Sequence, residues 1–540
     1  MSGLGRPTTR LPVRPPTPPE ETYTPPAPER AGKKAREGTS PGARRAGRLL
    51  GACARTLRRV PRVAWTCALV ATLNAACWSV ITPPFQVPDE PSHFAYVQLL
   101  AETGRLPTSD IGAFSPEEET GLRDLNQANV RWHPEVGTIS SPAAKQQLEH
   151  DLAQPLSRVG SGAAGVAASE PPLYYALETI PYYLGSSGTL LDQLELMRLL
   201  SALMGGLTAL FTYLFVREAL PGAPWAWIVG GLAAALAPLL GFTSGAVTPD
   251  AMLFAVCAGI LYCLARAFRR GLGWGLGIAL GVLIVVGLLT KVNFVGLIPG
   301  LALALVVLAR RGIRDATGAR LRSAAPQAVA VMAIAASPVC LYALRNLLEH
   351  HPMLGIVSNA ANLTGVHESL TSDLVYIWQL YLPRLPGMFN YFPGLSTIRQ
   401  VWFDRAVGLY GWLDTSFPTW VYSAAIIPAG LIAILALRGL WGARRALRAR
   451  LGELAAYLVM AAGLMALIAQ DSHVHRSVEG VGYAQPRYLM PLLPLAAAVL
   501  VLAARGAGRR WGPAVGALIV ILFLAQDIFS QLLVVSRFYG

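Results

Sequence analysis

The sequence predicts an all-α polytopic membrane protein, and three observations carry that prediction. The chain of 540 residues is 53% hydrophobic and only 14% charged, with a mean hydropathy of +0.44. Several apolar runs reach the roughly 20 residues that a helix needs to cross a bilayer. The basic residues cluster between these runs, as in a signal that sets membrane topology. The net charge of +14 therefore does not indicate a nucleic-acid partner.

The amino-terminal part of the chain is polar and is followed by the first apolar run. Residues 1–47 are rich in Pro, Arg, Gly and Thr without apolar periodicity, which predicts a disordered cytoplasmic tail. Four arginines between Arg55 and Arg62 precede the run 63–82, so the first transmembrane helix is expected to keep its basic side in the cytoplasm. The excess of Arg over Lys is an actinobacterial-like composition of the kind that a GC-rich genome produces. All six cysteines lie in or beside apolar runs, so neither a disulfide framework nor a thiolate metal site is expected.

Two long segments separate the predicted membrane spans and define the expected domains. The first is polar, and the second is aromatic and apolar enough to rest on the membrane surface. The core, 48–344, includes a large first extracytoplasmic loop, 83–197, which carries interfacial helices. A tyrosine-rich helix after Glu170 is placed in the membrane interface, because only then do all the arginine clusters face the cytoplasm. A second outer loop, 345–419, and carboxyl-terminal transmembrane helices, 420–540, follow. The bundle has about 11 transmembrane helices, with the amino terminus cytoplasmic, in the cell (cytoplasmic) membrane. The expected spans are 63–82, 198–216, 225–243, 251–267, 273–290, 292–309, 326–344, 420–437, 454–470, 488–504 and 513–535.

The stretch Pro83–Leu100 directly follows the first apolar run and concentrates groups that can transfer protons or bind metal. Asp89 and Glu90 are adjacent between two prolines, and His93 follows them. Charge is expensive at the end of a membrane helix unless it is paired or functional. We therefore expect Asp89 and Glu90 to mark an extracytoplasmic active site.

The other polar residues at outer helix ends fall on the same side of the predicted bilayer. Because these residues are expected at the same depth in the bilayer, we expect them to line one cavity. Each residue alone could instead be an interfacial anchor or half of a salt bridge. These residues are Glu170, Tyr174, Asp250, Lys291, Arg345, Arg487 and Tyr488.

Three of the acidic and imidazole groups have competing explanations. Asp89 stands where a helix N-cap is expected, and Asp250 also begins a helix. His93 fits a hydrogen bond as well as it fits a metal ion.

The order of these motifs resembles the GT-C superfamily of membrane glycosyltransferases, of the protein mannosyltransferase and aminoarabinose transferase type. The resemblance rests on the Asp-Glu pair, the Pro-Pro-Leu-Tyr-Tyr helix after Glu170, Arg198, Asp250 and Leu289-Thr290-Lys291. Together, PDEPSHF and QPRYLMPLLP look more like an uncharacterised bacterial membrane-protein branch with a PDEPxH first-loop motif. The resemblance covers roughly residues 63–310 and 480–500.

The resemblance implies a GT-C-like fold and the transfer of a sugar from a polyprenyl-phosphate-linked donor. The acceptor would be a cell-envelope glycan or a protein on the outer membrane face. Asp89 would be the general base, with Glu90 beside it. Lys291 and Arg487, helped by Arg345, would neutralise the phosphate, and Tyr488 would donate a hydrogen bond. His93, Glu170, Tyr174 and Asp250 would line the substrate site.

The expected partners are the lipid-linked sugar and membrane lipid, and the sequence leaves the oligomeric state open. The resemblance leaves two alternatives for the cofactor: a divalent metal, Mg²⁺ or Mn²⁺, which Glu90, His93 or Asp250 could hold, or none.

Three other classes of protein stay open at this point. A polymerase or ligase of a different membrane fold would also carry large outer loops but would depend on arginines rather than on a carboxylate base. A transporter or flippase for a lipid-linked substrate would carry charged or helix-breaking residues in mid-membrane and a repeated half. A non-catalytic envelope membrane protein would use the Asp-Glu pair only as a cap and an anchor. Replacing Asp89 by Asn separates an enzyme from the last two, because only an enzyme would lose a glycan product at normal membrane abundance.

Overall fold

The computed structural model describes residues 60–108, 110–136, 141–311, 313–314, 320–322, 324–348, 370–479 and 484–539. The predicted disordered tail, 1–47, lies outside the described residues, as does part of the second outer loop. Everything described below belongs to the unit Val60–Gly540.

Helices dominate the described residues. The first eleven are α1 Arg62–Ile81, α2 Glu90–Thr103, α3 Pro116–Asp124, α4 Gln127–Val130, α5 Pro142–Leu152, α6 Leu173–Leu184, α7 Leu190–Ala219, α8 Pro224–Ala235, α9 Pro238–Ser244, α10 Pro249–Arg270 and α11 Trp274–Leu288. The remaining eight are α12 Ile298–Arg311, α13 Ala325–Leu348, α14 Leu370–Tyr381, α15 Arg405–Gly408, α16 Thr419–Arg448, α17 Leu451–Glu479, α18 Leu493–Gly506 and α19 Gly508–Tyr539.

Short 3₁₀ and π segments and two small antiparallel strand pairs complete the secondary structure. The 3₁₀ turns are Gly165–Ser169, Val292–Leu297 and Pro486–Leu492, and the π-helical segment is Thr397–Asp404. The strand pairs are β1 Ile313–Arg314 with β2 Arg320–Arg322 and β3 Leu409–Tyr410 with β4 Thr415–Ser416.

The membrane-spanning helices confirm the predicted fold class. The described residues contain nine helices long and apolar enough to cross a bilayer, and the bent pair of α8 and α9 makes ten. That pair corresponds to the predicted span 225–243, which the structure breaks with a 50° bend at a Leu-Ala-Pro sequence. The predicted span 273–290 is the shorter apolar helix α11, of 15 residues.

The core of the bundle lies where α7 packs against α1 and α10. Small residues bring these helices close together. A Cβ atom on Gly206 would collide with Thr72 of α1, so the approach of α7 to α1 requires glycine. This packing fixes the ends of α1, α7 and α10 relative to one another, and the polar residues discussed next lie at one set of those ends.

Candidate active site at one end of the bundle

Asp89 occupies an unusual backbone position directly before α2. Its φ is +70°, a left-handed conformation that few residues other than Gly, Asn and Asp adopt. Although Asp89 is the N-cap residue of α2, its side chain makes no capping hydrogen bond. Instead Oδ2 accepts a hydrogen bond from Nη2 of Arg487 at 2.5 Å, across nearly 400 residues of sequence. The explanation of Asp89 as only a cap is therefore wrong.

Arg487 comes from the 3₁₀ turn Pro486–Leu492, which leads into α18. Its Nη2 also donates to the hydroxyl of Tyr488 at 3.3 Å, and Nη1 donates to the carbonyl of Pro88 at 3.5 Å. Its Nε is buried and has no hydrogen-bond partner within the described part of the chain. A buried guanidinium with an unused donor can accept another anionic or polar ligand without breaking existing contacts.

A second ion pair lies at the junction of α10 and α11. Lys291 follows α11, and its Nζ lies 3.0 Å from Oδ1 of Asp250, which belongs to the first turn of α10. The N-cap of α10 is Thr248, so Asp250 is not the cap that the sequence left open. The other oxygen, Oδ2, is buried without a partner. Glu170 lies 3.8 Å from Lys291 and accepts a hydrogen bond from the backbone N–H of Val292.

The electrostatics connect the two ion pairs into one cluster. Burial by itself raises the pKa of Asp89, but the charge and hydrogen bond of Arg487, together with the charge of Lys291, lower it below its ordinary value. Burial also acts to lower the pKa of Lys291, and the carboxylates of Asp250 and Glu170 raise it above its ordinary value. For Glu170 burial dominates, so its pKa is raised in spite of Lys291. Lys291 is therefore charged at neutral pH, and Asp89 is ionised.

Glu90 has a different environment from its neighbour. It is fully buried and forms a bidentate ion pair with Arg198 of α7, at 2.8 Å to Nε and 2.6 Å to Nη2. It also accepts hydrogen bonds from the backbone N–H groups of Phe85 and Val247. Arg198 donates further to three carbonyl oxygens, those of Ser79, Thr82 and Pro83. Both oxygens of Glu90 are thus occupied by contacts that hold the Pro83–Asp89 loop onto α7 and α10.

The three residues expected to bind a divalent metal do not come together. Glu90 is paired with Arg198 and Asp250 with Lys291, while Nδ1 of His93 lies 3.0 Å from the hydroxyl of Tyr175. Among the residues that the structure describes, no group of three or more His, Cys, Asp or Glu side chains could hold a metal ion. The side chains of Glu90, His93 and Asp250 stay apart because each points towards a different partner. Burial, and then the charge of Lys291, lower the pKa of His93 to about 3, so the imidazole is neutral.

Tyr174 and Arg345 are the two remaining predicted site residues. Tyr174 is buried, and its hydroxyl lies 2.8 Å from Oγ of Ser201, which donates to Glu178. Burial raises the pKa of Glu178 to about 8. Arg345 is exposed near the end of α13. Its predicted role at the phosphate stays a prediction.

The site also contains residues to which sequence reasoning gave no role. Arg198 is one, and an arginine inside an apolar 30-residue helix is a signal that could have identified it. Arg131 is another. Its guanidinium lies 4.0 Å from the ring centroid of Trp132 and 4.7 Å from that of Trp412, and its charge interacts with Asp89.

The second outer loop covers the first at this point. Trp412, between β3 and β4, donates its indole N–H to the carbonyl of Phe85 at 3.0 Å. Asp414 accepts a hydrogen bond from the backbone N–H of Trp132 at 3.1 Å. The loop 405–416 therefore forms one wall beside the Asp89 stretch.

The arginine clusters lie at the opposite ends of the same helices. Asp250 lies in the first turn of α10, a helix of 22 residues, and Arg269 and Arg270 end that helix about 30 Å away. Both arginines bind Glu218, which lies at the end of α7 opposite Arg198. The bundle is thus polarised, with the ion-pair cluster at one end and excess positive charge at the other.

Comparisons with known proteins give one match in sequence and several in structure. A family model described as "Predicted membrane protein (DUF2142)" matches residues 73–496. No curated protein matches the chain.

The chain is similar to solved structures of ArnT from Cupriavidus metallidurans and of the oligosaccharyltransferase from Archaeoglobus fulgidus. Apo ArnT is 17% identical with a TM-score of 0.42, and ArnT bound to undecaprenyl phosphate is 18% identical with a TM-score of 0.40. Each match covers 81% of this chain and 59% of ArnT. The apo oligosaccharyltransferase is 13% identical with a TM-score of 0.39, over 88% of this chain and 56% of that one. The chain thus spans less than two thirds of the length of these proteins.

Proposed function

The chain belongs to the DUF2142 family of predicted membrane proteins, and from its ion-pair cluster we propose that it is a membrane glycosyltransferase. It transfers a sugar from a polyprenyl-phosphate-linked donor to an acceptor on the outer face of the cytoplasmic membrane. The single observation that carries this proposal is the contact of Asp89 with Arg487 at 2.5 Å, beside the pair of Asp250 and Lys291. A carboxylate base and two phosphate-binding cations thereby share one end of the bundle.

Arg487 and Lys291 bind the donor phosphate. Each begins an apolar segment that spans the membrane, so their charges lie where the phosphate of a lipid with its tail in the bilayer would lie. The guanidinium offers bidentate hydrogen bonds to phosphate oxygens, with the unused Nε as an additional donor. In the absence of donor, the carboxylates of Asp89 and Asp250 balance these charges. The donor phosphate competes with Asp89 for Arg487.

Asp89 is the general base. Its side chain is 29% exposed, whereas that of Glu90 is fully buried, so a ligand can reach Asp89. Its lowered pKa keeps it ionised at neutral pH. The proton of the acceptor hydroxyl moves to the carboxylate of Asp89 while the acceptor oxygen bonds to the anomeric carbon. The bond from that carbon to the phosphate oxygen breaks, and its electron pair leaves with the phosphate, where Arg487 and Lys291 stabilise the charge.

Glu90, His93 and Tyr488 support this geometry. Glu90 acts as a positioning residue through Arg198, because its four hydrogen bonds leave no oxygen for substrate. The neutral imidazole of His93 orients Tyr175. The hydroxyl of Tyr488 contacts Nη2 of Arg487 and donates to the phosphate.

The polarity of the bundle supports the outer location. The arginines around Glu218 mark the cytoplasmic ends, because positively charged residues are retained on that side. The ion-pair cluster at the other end then faces outward.

Complementation of a deletion strain tests the function. We expect wild-type protein to restore a cell-envelope glycan or glycosylated protein that the deletion removes, and Asp89→Asn to fail at normal membrane abundance. Glu149→Gln is the matched control, since this carboxylate is exposed in an ion pair with Lys145 far from the cluster. Full restoration by Asp89→Asn would contradict the proposal, and a lipid-linked sugar accumulating on the inner face would indicate a flippase instead.

A further inference from the structure

A polar cavity lies in the second outer loop, apart from the ion-pair cluster. It has a volume of about 300 Å³, at the lower end of the range of small-molecule sites. The cavity lies between the π-helical segment Thr397–Asp404 and the start of α16. π-Helical turns are rare and often occur at functional sites. The side chains that line it are Ser396, Arg399, Gln400, Asp404, Thr419 and Tyr422.

The lining has unsatisfied hydrogen-bonding capacity. Oδ1 of Asp404 is buried and has no hydrogen-bond partner among the residues that the structure describes. The closest charge is Nε of Arg399 at 3.7 Å, which is too far for a hydrogen bond. Arg399 is held by Ser423 at 2.8 Å and keeps 45% of its side chain exposed. The cavity therefore presents an acceptor that needs an O–H or N–H donor, next to a guanidinium that donates.

These groups fit an uncharged polyol better than an anion. An anionic ligand would be attracted by Arg399 but repelled by the carboxylate of Asp404. Adjacent hydroxyl groups suit both, since one donates to Asp404 and the next accepts from Arg399. The aromatic ring of Tyr422 closes one side, as an apolar wall does in many small-molecule sites.

The cavity is connected to the ion-pair cluster by the backbone. Arg405, next to Asp404, donates from Nη1 to the carbonyl of Ala484 at 3.0 Å. Ala484 precedes Arg487 by three residues. The hydroxyl of Tyr422 donates to the carbonyl of Gly408 at 2.7 Å, at the end of α15. The segment that follows α15 carries Trp412, which contacts the Asp89 stretch.

Exposed apolar residues next in sequence to lining residues support a position of the cavity at the surface of the membrane. Trp420 is 69% exposed and Ile398 is 45% exposed. Exposed Trp at the beginning of a membrane-spanning helix is typical of the lipid headgroup region. A ligand in the cavity is therefore held next to the bilayer, on the same side as Asp89.

We propose that this cavity binds a saccharide unit of the acceptor, through the Asp404 carboxylate and the Arg399 guanidinium. The proposal rests on the proposed function and adds that the acceptor is itself a carbohydrate. The sugar bound by Asp404 belongs to the same acceptor as the unit whose hydroxyl is glycosylated. The acceptor can be the headgroup of a glycolipid or the end of a free glycan, because the chemistry of recognition is the same.

Saturation-transfer NMR on the full-length protein in nanodiscs tests this inference. The probes are methyl glycosides of mannose, glucose, galactose and N-acetylglucosamine, and separately nanodiscs that contain a diglucosyl diacylglycerol. We expect saturation transfer to at least one probe, and affinity about tenfold lower in Asp404→Asn, which loses a charged acceptor but keeps its shape. Binding only in the glycolipid arm identifies a lipid-attached acceptor, and binding of a methyl glycoside identifies a free glycan end.

Matched variants make the result decisive. Arg384→Gln is the control, because Arg384 is exposed in the same loop and bonds only the carbonyl of Met388 among its described contacts. Arg399→Gln is the second variant in case Asp404→Asn fails to fold, as judged by thermal unfolding. No binding by any probe, or equal binding by wild type, Asp404→Asn and Arg399→Gln, overturns the proposal.

The failure of this inference differs from the failure of the proposed function. Asp89→Asn is expected to bind the glycoside like wild type, because Asp89 does not line the cavity. Saccharide binding without any transfer by wild type would refute the glycosyltransferase and leave a saccharide site. Transfer that Asp404→Asn leaves unchanged would refute the saccharide site and leave the glycosyltransferase.

Discussion

Replacement of Glu90 by Gln separates its structural role from a catalytic one. Each oxygen of Glu90 accepts two hydrogen bonds. Oε1 accepts from Nε of Arg198 and from the backbone N–H of Val247, and Oε2 accepts from Nη2 of Arg198 and from the backbone N–H of Phe85. Gln keeps one of these oxygens and presents an NH₂ group to the other two donors. Leaving two buried donors unsatisfied costs about 1–3 kcal/mol each. The sum agrees with the roughly 3–5 kcal/mol lost when one partner of a buried ion pair is removed.

The free energy of unfolding of purified protein, measured by titration with SDS from mixed micelles, gives the magnitude directly. We expect Glu90→Gln to lose about 3–5 kcal/mol and Glu149→Gln to be unchanged. Adding Arg198→Met to Glu90→Gln is expected not to restore stability, because the carbonyls of Ser79, Thr82 and Pro83 then lose their donor. Wild-type stability in Glu90→Gln together with lost transfer would refute this reasoning and make Glu90 catalytic.

Two further predictions follow from the same cluster. Lys291→Gln removes a cation from the proposed phosphate site and leaves Asp250 without its ion-pair partner. We therefore expect the KM for the donor to be roughly 10- to 100-fold higher than in wild type. An unchanged KM would place the donor phosphate elsewhere. His93 has a folded-state pKa of about 3, below the roughly 6.5 of an unfolded histidine. Between these values the unfolded chain binds the additional proton, so the free energy of unfolding decreases as pH falls from about 6.5 to about 3. We expect His93→Gln to flatten this decrease in acid-unfolding curves, and an identical slope in both proteins would contradict the assignment.

The sequence was sufficient for the membrane-spanning helices, because length and hydropathy decide whether a segment can cross a bilayer. α1, Arg62–Ile81, agrees with the predicted span 63–82 to within one residue. The bend between α8 and α9 was missed, although Pro238 signals it. Hydropathy averages over a window and does not record where one proline interrupts the helix.

The candidate site could be predicted as a set of residues but not as a set of partners. Asp89 and Glu90 are neighbours with the same chemistry, and only the left-handed backbone at Asp89 directs one towards Arg487 and the other towards Arg198. The pairing of each acidic residue with a basic residue depends on how the helices pack. The short polar motifs contribute little to that packing. The candidate metal ligands are not brought together for the same reason, since residue type cannot show that His93 faces Tyr175.

The contribution of the second outer loop lay beyond sequence reasoning. Trp412 reaches the carbonyl of Phe85 across more than 300 residues, and Tyr410 packs on Trp78 with ring centroids 5.0 Å apart. The sequence indicated only an aromatic loop that could rest on the membrane. Part of that loop instead packs on the end of α1 and covers the Asp89 stretch.

Binding of undecaprenyl phosphate to the Asp89→Asn variant tests the central claim most directly. If Asp89 and a donor phosphate compete for Arg487, removal of the carboxylate charge frees the guanidinium. We predict that Asp89→Asn binds undecaprenyl phosphate several-fold more tightly than wild type while it transfers no sugar, and that Arg487→Gln binds it roughly tenfold or more weakly. Equal binding by all three proteins would contradict the account, because the lipid phosphate would then lie away from this ion pair.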